Sequence, residues 1–211
     1  MKPSRIRTET NLPRPAEWMK DFFKDKDVFI LGSGPSLTDF DFKRLTGKTI
    51  LAVNHMWQYV APAMLVFLDS IFRAEEMERG IDFTSLPFPV VTGPSSGLTQ
   101  GKNCFRFHYA GKPEMSGLRF YGMSNSALFA LNVALYCNAA KIYLMGIDCC
   151  FQNGASHFYS AYKKHARDGK PEPYELTARH FEQFATFKNV FNLSPISTIK
   201  CFPKIDMAEI L

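Results

Sequence analysis

Apolar residues fall along this chain in short, nearly unbroken runs: DVFILG at 27–32, KTILAVN at 48–54, AMLVFLD at 63–69, FPVVTG at 88–93 and KIYLMGID at 141–148. Runs that do not alternate with polar positions mark parallel strands covered on both faces. Helical patterns lie between and around them. AEWMKDFFKDK (16–26) gathers Trp18, Phe22 and Phe23 near one face, SIFRAEEMERG (70–80) reads as helix or turn, and PYELTARHFEQFATFKN (173–189) is amphipathic. MSNSALFALNVALYCNA (123–139) is apolar on most sides, with Ser124 placed to cap it. Short strands are expected at CFRFHY and LRFYG, a last strand at STIKCF and a closing helical turn at DMAEIL. Alternating strands and helices predict a Rossmann-like, doubly wound, mostly parallel α/β sheet.

Ligands in such sheets bind beyond the carboxyl ends of the strands. The residues that end one run after another are Gly32-Ser33-Gly34-Pro35-Ser36, Asn54-His55, Asp69-Ser70 and Gly146-Ile147-Asp148, and Ser124 and Asn125 open a helix. Glycines lacking Cβ let backbone amides approach a phosphate closely, and Pro35 suits the first position of a helix. The loop is not a dinucleotide fingerprint, because Leu37 stands where the third glycine belongs and Asn54 where a ribose-binding acid belongs. It also lacks the lysine of a Walker loop. Asn54 suits a base or sugar, or the cap of a turn. Asp69 suits a substrate or a metal, although no second acid within two residues completes a D-x-D pair.

Residues 149–172 carry no periodicity and are long for a loop in a compact domain, which predicts a lid. His157 and His165 lie in it among Tyr159 and Tyr162, a grouping suited to acid–base work.

The length of 211 residues fits one domain (16–211) behind an N-terminal arm (1–15). The arm sets Lys2, Arg5, Arg7 and Arg14 against Glu9, and residues 163–170 set Lys163, Lys164, Arg167 and Lys170 against Asp168. Within a net charge of +5, these two patches suit an anionic partner such as a nucleotide diphosphate or nucleic acid. With 46% hydrophobic and 21% charged residues, no membrane-length apolar run and no secretory signal, a cytoplasmic location is expected. Five irregularly spaced cysteines form neither a disulfide framework nor a zinc motif.

GSGPSL after the first strand, VNHMWQY after the second, and SNSALFALNVALYCNAAKIYLMGIDCCFQNGASHFY resemble the bacterial sialyltransferases of glycosyltransferase family 42, over about residues 27–160. The resemblance implies a Rossmann-like variant of the GT-A fold, working without a metal and with no cofactor beyond a nucleotide-sugar co-substrate. It places Gly32, Ser33, Gly34, Ser36, Asn54 and Ser124 around the donor, with Gly146, Ile147 and Asp148 against its base; Asn125, beside Ser124 at the helix start, is expected to join the donor site. The lid tyrosines of that family fall near Phe151 and His157, and its asparagine after the third strand is Asp69 here, so a donor other than sialic acid is implied.

The functional expectation is therefore transfer of a sugar from a nucleotide-activated donor to a hydroxyl acceptor. His157 is expected to protonate the leaving phosphate, and His165, His180 or Asp69 to act as base. The acceptor is expected to be a glycan or, given the basic patches, a modified base in DNA; no oligomeric state is implied. The start GSGPSL also resembles the archaeal pterin diphosphokinase-like proteins, and a nucleotide-binding module without catalysis is a further alternative.

Overall fold

A computed structural model describes residues 17–98, 101–123, 125–159 and 172–211. The expected runs become β1 (Asp27–Leu31), β2 (Thr49–Val53), β3 (Met64–Phe67), β4 (Val90–Thr92) and β8 (Lys141–Met145). With β5 (Cys104–Arg106) and β9 (Val190–Asn192) they form one seven-stranded sheet in the order β5-β4-β3-β2-β1-β8-β9. Every neighbouring pair is parallel. A separate parallel pair joins β6 (His108–Tyr109) to β7 (Arg119–Phe120).

The unbroken apolar runs have a direct cause. In β1, Val28 and Ile30 enter one buried cluster while Phe29 and Leu31 enter the other, and β2, β3 and β8 divide in the same way. Each strand thus has its successive side chains buried on opposite faces. On the first face lies α2 (Ser126–Tyr136), with Leu128, Phe129, Leu131 and Val133 fully buried. Its Asn132 is also fully buried; Oδ1 accepts from the Tyr121 amide at 2.6 Å and Nδ2 donates to the Glu114 carbonyl at 3.0 Å, fastening the segment before the helix. The second face is covered by α1 (Ser70–Glu78), by short helical turns and by the C-terminal residues Ile205, Met207, Ile210 and Leu211.

Several expected elements differ. The described N-cap of α2 is Asn125, whose Oδ1 accepts from the amides of Ala127 and Leu128 at 2.9 and 3.1 Å; Ser124 lies outside the described residues. The first segment forms a three-residue turn, Glu17–Met19, that buries Met19 and Phe23 and leaves Trp18 43% exposed. The helix expected over 173–189 is α3 (Glu172–His180) followed by a single tighter turn, Phe181–Phe184.

STIKCF is not a strand, and the last strand is Val190–Asn192. The Thr198 amide donates to the Asp148 carbonyl at 2.9 Å and the Ser197 hydroxyl to the Ile147 carbonyl at 3.0 Å, so this stretch braces the end of β8 instead of extending the sheet. The basic arm and half of the lid (160–171), with His165 and the second basic patch, lie outside the described residues. Among the described residues no helix is long and apolar enough to cross a membrane.

Candidate functional site

The strand order reverses between β1 and β8, and a crevice opens there at the carboxyl ends of the strands, where open α/β sheets place their ligands. Gly32, Ser33 and Gly34 line it from β1, Asn54 from β2, and Gly146 to Cys150 from β8. Asn125 to Ala127 open α2 on another side, Ser156 and His157 come from the chain after β8, and Tyr174 and Thr177 form a wall from α3.

The two glycine turns pack against each other. A Cβ on Gly32 would stand 2.6 Å from the Gly146 carbonyl oxygen, and one on Gly146, whose φ is +65°, would stand 2.4 Å from the Gly32 oxygen. The amides of Gly32 and Gly34 donate to the carbonyls of Met145 and Gly146 at 2.8 and 2.7 Å. Asp148, 2% exposed, accepts from the Ser36 amide and the Ser36 hydroxyl, both at 2.7 Å. Three amides expected to cradle a phosphate are thus engaged within the chain, and the glycines are required by turn-to-turn contact. Proline at 35 opens a three-residue turn, too short to supply the macrodipole of a full helix.

Asn54 has the left-handed φ of 51°. Behind it, Glu76, only 1% exposed, accepts from Gln58 Nε2 at 2.8 Å and Arg79 Nη1 at 3.1 Å, and lies 3.2 Å from His55 Nδ1. This cluster ties the turn Asn54–Gln58 to α1 and so holds Asn54 at the mouth of the crevice. Asn54 Oδ1 is buried without a hydrogen-bond partner, and so is Ser156 Oγ. Two such orphans beside one crevice call for a ligand, because a buried polar atom without a partner costs ~1–3 kcal/mol.

His157 is half-buried, with Nδ1 at 2.9 Å from Ser33 Oγ. No lysine or arginine lines the crevice among the described residues. Burial pushes the Cys149 thiol up to about 12, helped by the neighbouring Asp148, and raises that of Cys150 too, so neither is a thiolate nucleophile near neutral pH. Among the described residues no group of three or more His, Cys, Asp or Glu side chains is placed to hold a metal.

Of the expected residues, Gly32, Ser33, Gly34, Asn54, Asn125, Gly146, Ile147, Asp148 and His157 line the crevice, and Ser36 closes on Asp148 behind it. Asp69 does not line it: it is exposed and caps α1, accepting from the Ile71 amide at 2.7 Å. His180, at the end of α3, does not line it either. Ser156, Tyr174, Thr177, Cys149 and Cys150 join the site without having been singled out. Tyr174 and Thr177 stand one helical turn apart, a spacing visible in the sequence once α3 is known to face the crevice. Phe151 meets Tyr174 edge-on at 4.8 Å between ring centroids. A larger hollow, about 550 Å³, lies between the approaches to β2 and β3, lined by Phe40, Phe42, Lys48 and Tyr59; neither crevice orphan reaches it.

Two solved structures share this architecture. The glycosyltransferase Maf from Magnetospirillum magneticum AMB-1 superposes with a TM-score of 0.58 at 17% identity, over 89% of this chain and 34% of that one. This chain therefore spans about a third of the length of the Maf protein. The sialyltransferase CstII from Campylobacter jejuni, solved with cytidine-5'-monophosphate, superposes at 0.51 and 16% identity, over 86% of this chain and 85% of that one. The chain has the fold of these glycosyltransferases. No family model and no curated protein sequence matches it.

Proposed function

We propose that the protein is a glycosyltransferase that moves a sugar from a nucleotide-activated donor, held in the crevice between β1 and β8, to a hydroxyl acceptor. The observation that carries this reading is the pair of orphaned atoms, Asn54 Oδ1 and Ser156 Oγ, at the switch point of a sheet shared with two glycosyltransferases. Asn54 Oδ1 accepts from a hydroxyl or amine of the nucleoside. Ser156, Asn125 and Tyr174 offer side-chain donors where the turn amides are already engaged. Among the described residues the lining sets no cation beside a phosphate, so it favours a donor with a single phosphate, because each added negative charge must be desolvated. The cytidine monophosphate bound by CstII is a nucleotide of that class.

His157 protonates the leaving phosphate, a role that imidazole fills near neutral pH. The test is to incubate the protein with a panel of sugar nucleotides, with and without glycan and hydroxymethylated-DNA acceptors, and to measure free nucleotide and transferred sugar. The expected result is release of nucleotide from one donor, cut roughly 10²–10⁴-fold by His157→Ala with nucleotide affinity nearly unchanged. Nucleotide binding with every donor left intact would sink the enzyme reading in favour of a non-catalytic nucleotide-binding module.

A further inference from the structure

One residue joins the turn after β1 to the segment that carries His157. The Ser33 carbonyl accepts from the Phe158 amide at 3.0 Å, and the Ser33 hydroxyl lies 2.9 Å from His157 Nδ1. The imidazole is also held by its face. Tyr159 lies flat against it, 5.5 Å between centroids and 9° between planes, and Tyr59 lies flat against Tyr159 at 6.2 Å and 9°. An aromatic face at this range favours the charged ring as well as the neutral one.

Given the proton-donor role of His157 proposed above, we propose that Ser33 is its positioning residue: the Ser33 hydroxyl anchors Nδ1 in both protonation states, so that proton exchange with the ligand runs through Nε2. A hydroxyl carries one O–H and two lone pairs. Because Nε2 is the nitrogen that gives up and regains its proton, Nδ1 stays protonated in both states, and the Ser33 oxygen accepts from it throughout.

The bond between the sugar and the phosphate oxygen breaks with its electron pair on that oxygen, which takes the proton from Nε2. The sugar carbon bonds to the acceptor oxygen, and the acceptor's proton leaves to solvent, from which the ring is recharged. Through the whole cycle the Ser33 hydroxyl and the stacked Tyr159 help to keep the orientation of the ring. Ser33 thereby serves the histidine, not the phosphate that its place in the loop suggests.

The test uses the full chain labelled with ¹⁵N-histidine, as wild type, Ser33→Ala and Ser33→Thr, with and without cytidine monophosphate. The expected result is a displaced His157 Nδ1 resonance in Ser33→Ala, restored in Ser33→Thr. In turnover, kcat should fall roughly tenfold in Ser33→Ala, as expected for one lost hydrogen bond to the reacting group, with KM within about twofold and most of the rate regained in Ser33→Thr. An unchanged Nδ1 resonance in Ser33→Ala would overturn the proposal. So would a raised KM with kcat intact, which would make Ser33 a nucleotide ligand. A wild type inactive toward every donor would defeat the transferase reading alone, since the resonance still reports the Ser33–His157 contact.

Discussion

Replacing Asn54 by glycine separates what this side chain does for a ligand from what it does for the fold. Its backbone sits at φ 51°, in the left-handed region, where glycine pays no Cβ penalty. Its Oδ1 is buried with no partner, a deficit of ~1–3 kcal/mol in the ligand-free protein that the substitution removes. Against this stands the greater freedom of glycine in the unfolded chain, ~0.5–1 kcal/mol. The balance is a ligand-free protein that is unchanged or more stable by up to ~2 kcal/mol, or ~0–8 °C in melting temperature for a domain of this size. The wild type at a hundredfold excess of nucleotide over its dissociation constant gains ~2.7 kcal/mol and melts correspondingly higher, and Asn54→Gly should lose most of that gain. Differential scanning calorimetry of both proteins, with and without nucleoside monophosphate, reads all four states. If Asn54→Gly melts well below wild type without ligand yet keeps the full ligand-induced rise, the reasoning is refuted, and Asn54 is a structural residue.

The remaining predictions concern the frame of the crevice. Asp148→Ala removes two charge-assisted hydrogen bonds and strands the Ser36 amide, so stability to urea should drop by roughly 3–5 kcal/mol; Asp148→Asn, which can still accept from that amide, should lose less than half as much. Equal losses in the two variants would show that a neutral acceptor cannot hold the Ser36 amide and would contradict this reading. The thiols of Cys104, Cys149 and Cys201 are pushed by burial from the ordinary 9.0 up to about 11, 12 and 11. A group raised on folding binds more protons in the native state, so its contribution is fully present below about pH 9 and is lost as pH climbs toward 12. The urea midpoint should therefore fall steadily between pH 8.5 and pH 11 (roughly the thiol window), and a flat or rising midpoint would contradict the burial argument.

The sheet was legible because its strands are buried twice over. Val28 and Phe29 face opposite clusters, and so do Ile142 and Tyr143, so runs without polar interruption announced β1 and β8. β9 escaped notice because it is a three-residue edge strand, VFN, with too few positions to carry a pattern. STIKCF misled for the opposite reason: it alternates like a strand, but its polar groups are drawn to the carbonyls of Ile147 and Asp148.

The crevice was readable at the ends of β1, β2 and β8, where the strands run into Gly32, Asn54 and Gly146. Its deeper logic was not. That Gly32 and Gly146 need each other, that Asp148 closes on Ser36, and that Ser156 Oγ is left without a partner are facts of spatial neighbourhood between residues more than 100 positions apart or of solvent exclusion. Asp69 illustrates the limit of reading strand ends one at a time, since it follows β3 as expected yet turns to cap α1.

On the proposed function, the crevice between β1 and β8 binds the nucleotide of an activated sugar. Isothermal titration of the full chain with cytidine monophosphate and with other nucleoside mono- and diphosphates tests it most directly. A monophosphate should bind one-to-one, the matching diphosphate should bind more weakly, and Asn54→Gly should lose the heat. No heat with any nucleotide at millimolar concentration, or binding indifferent to Asn54, would contradict it.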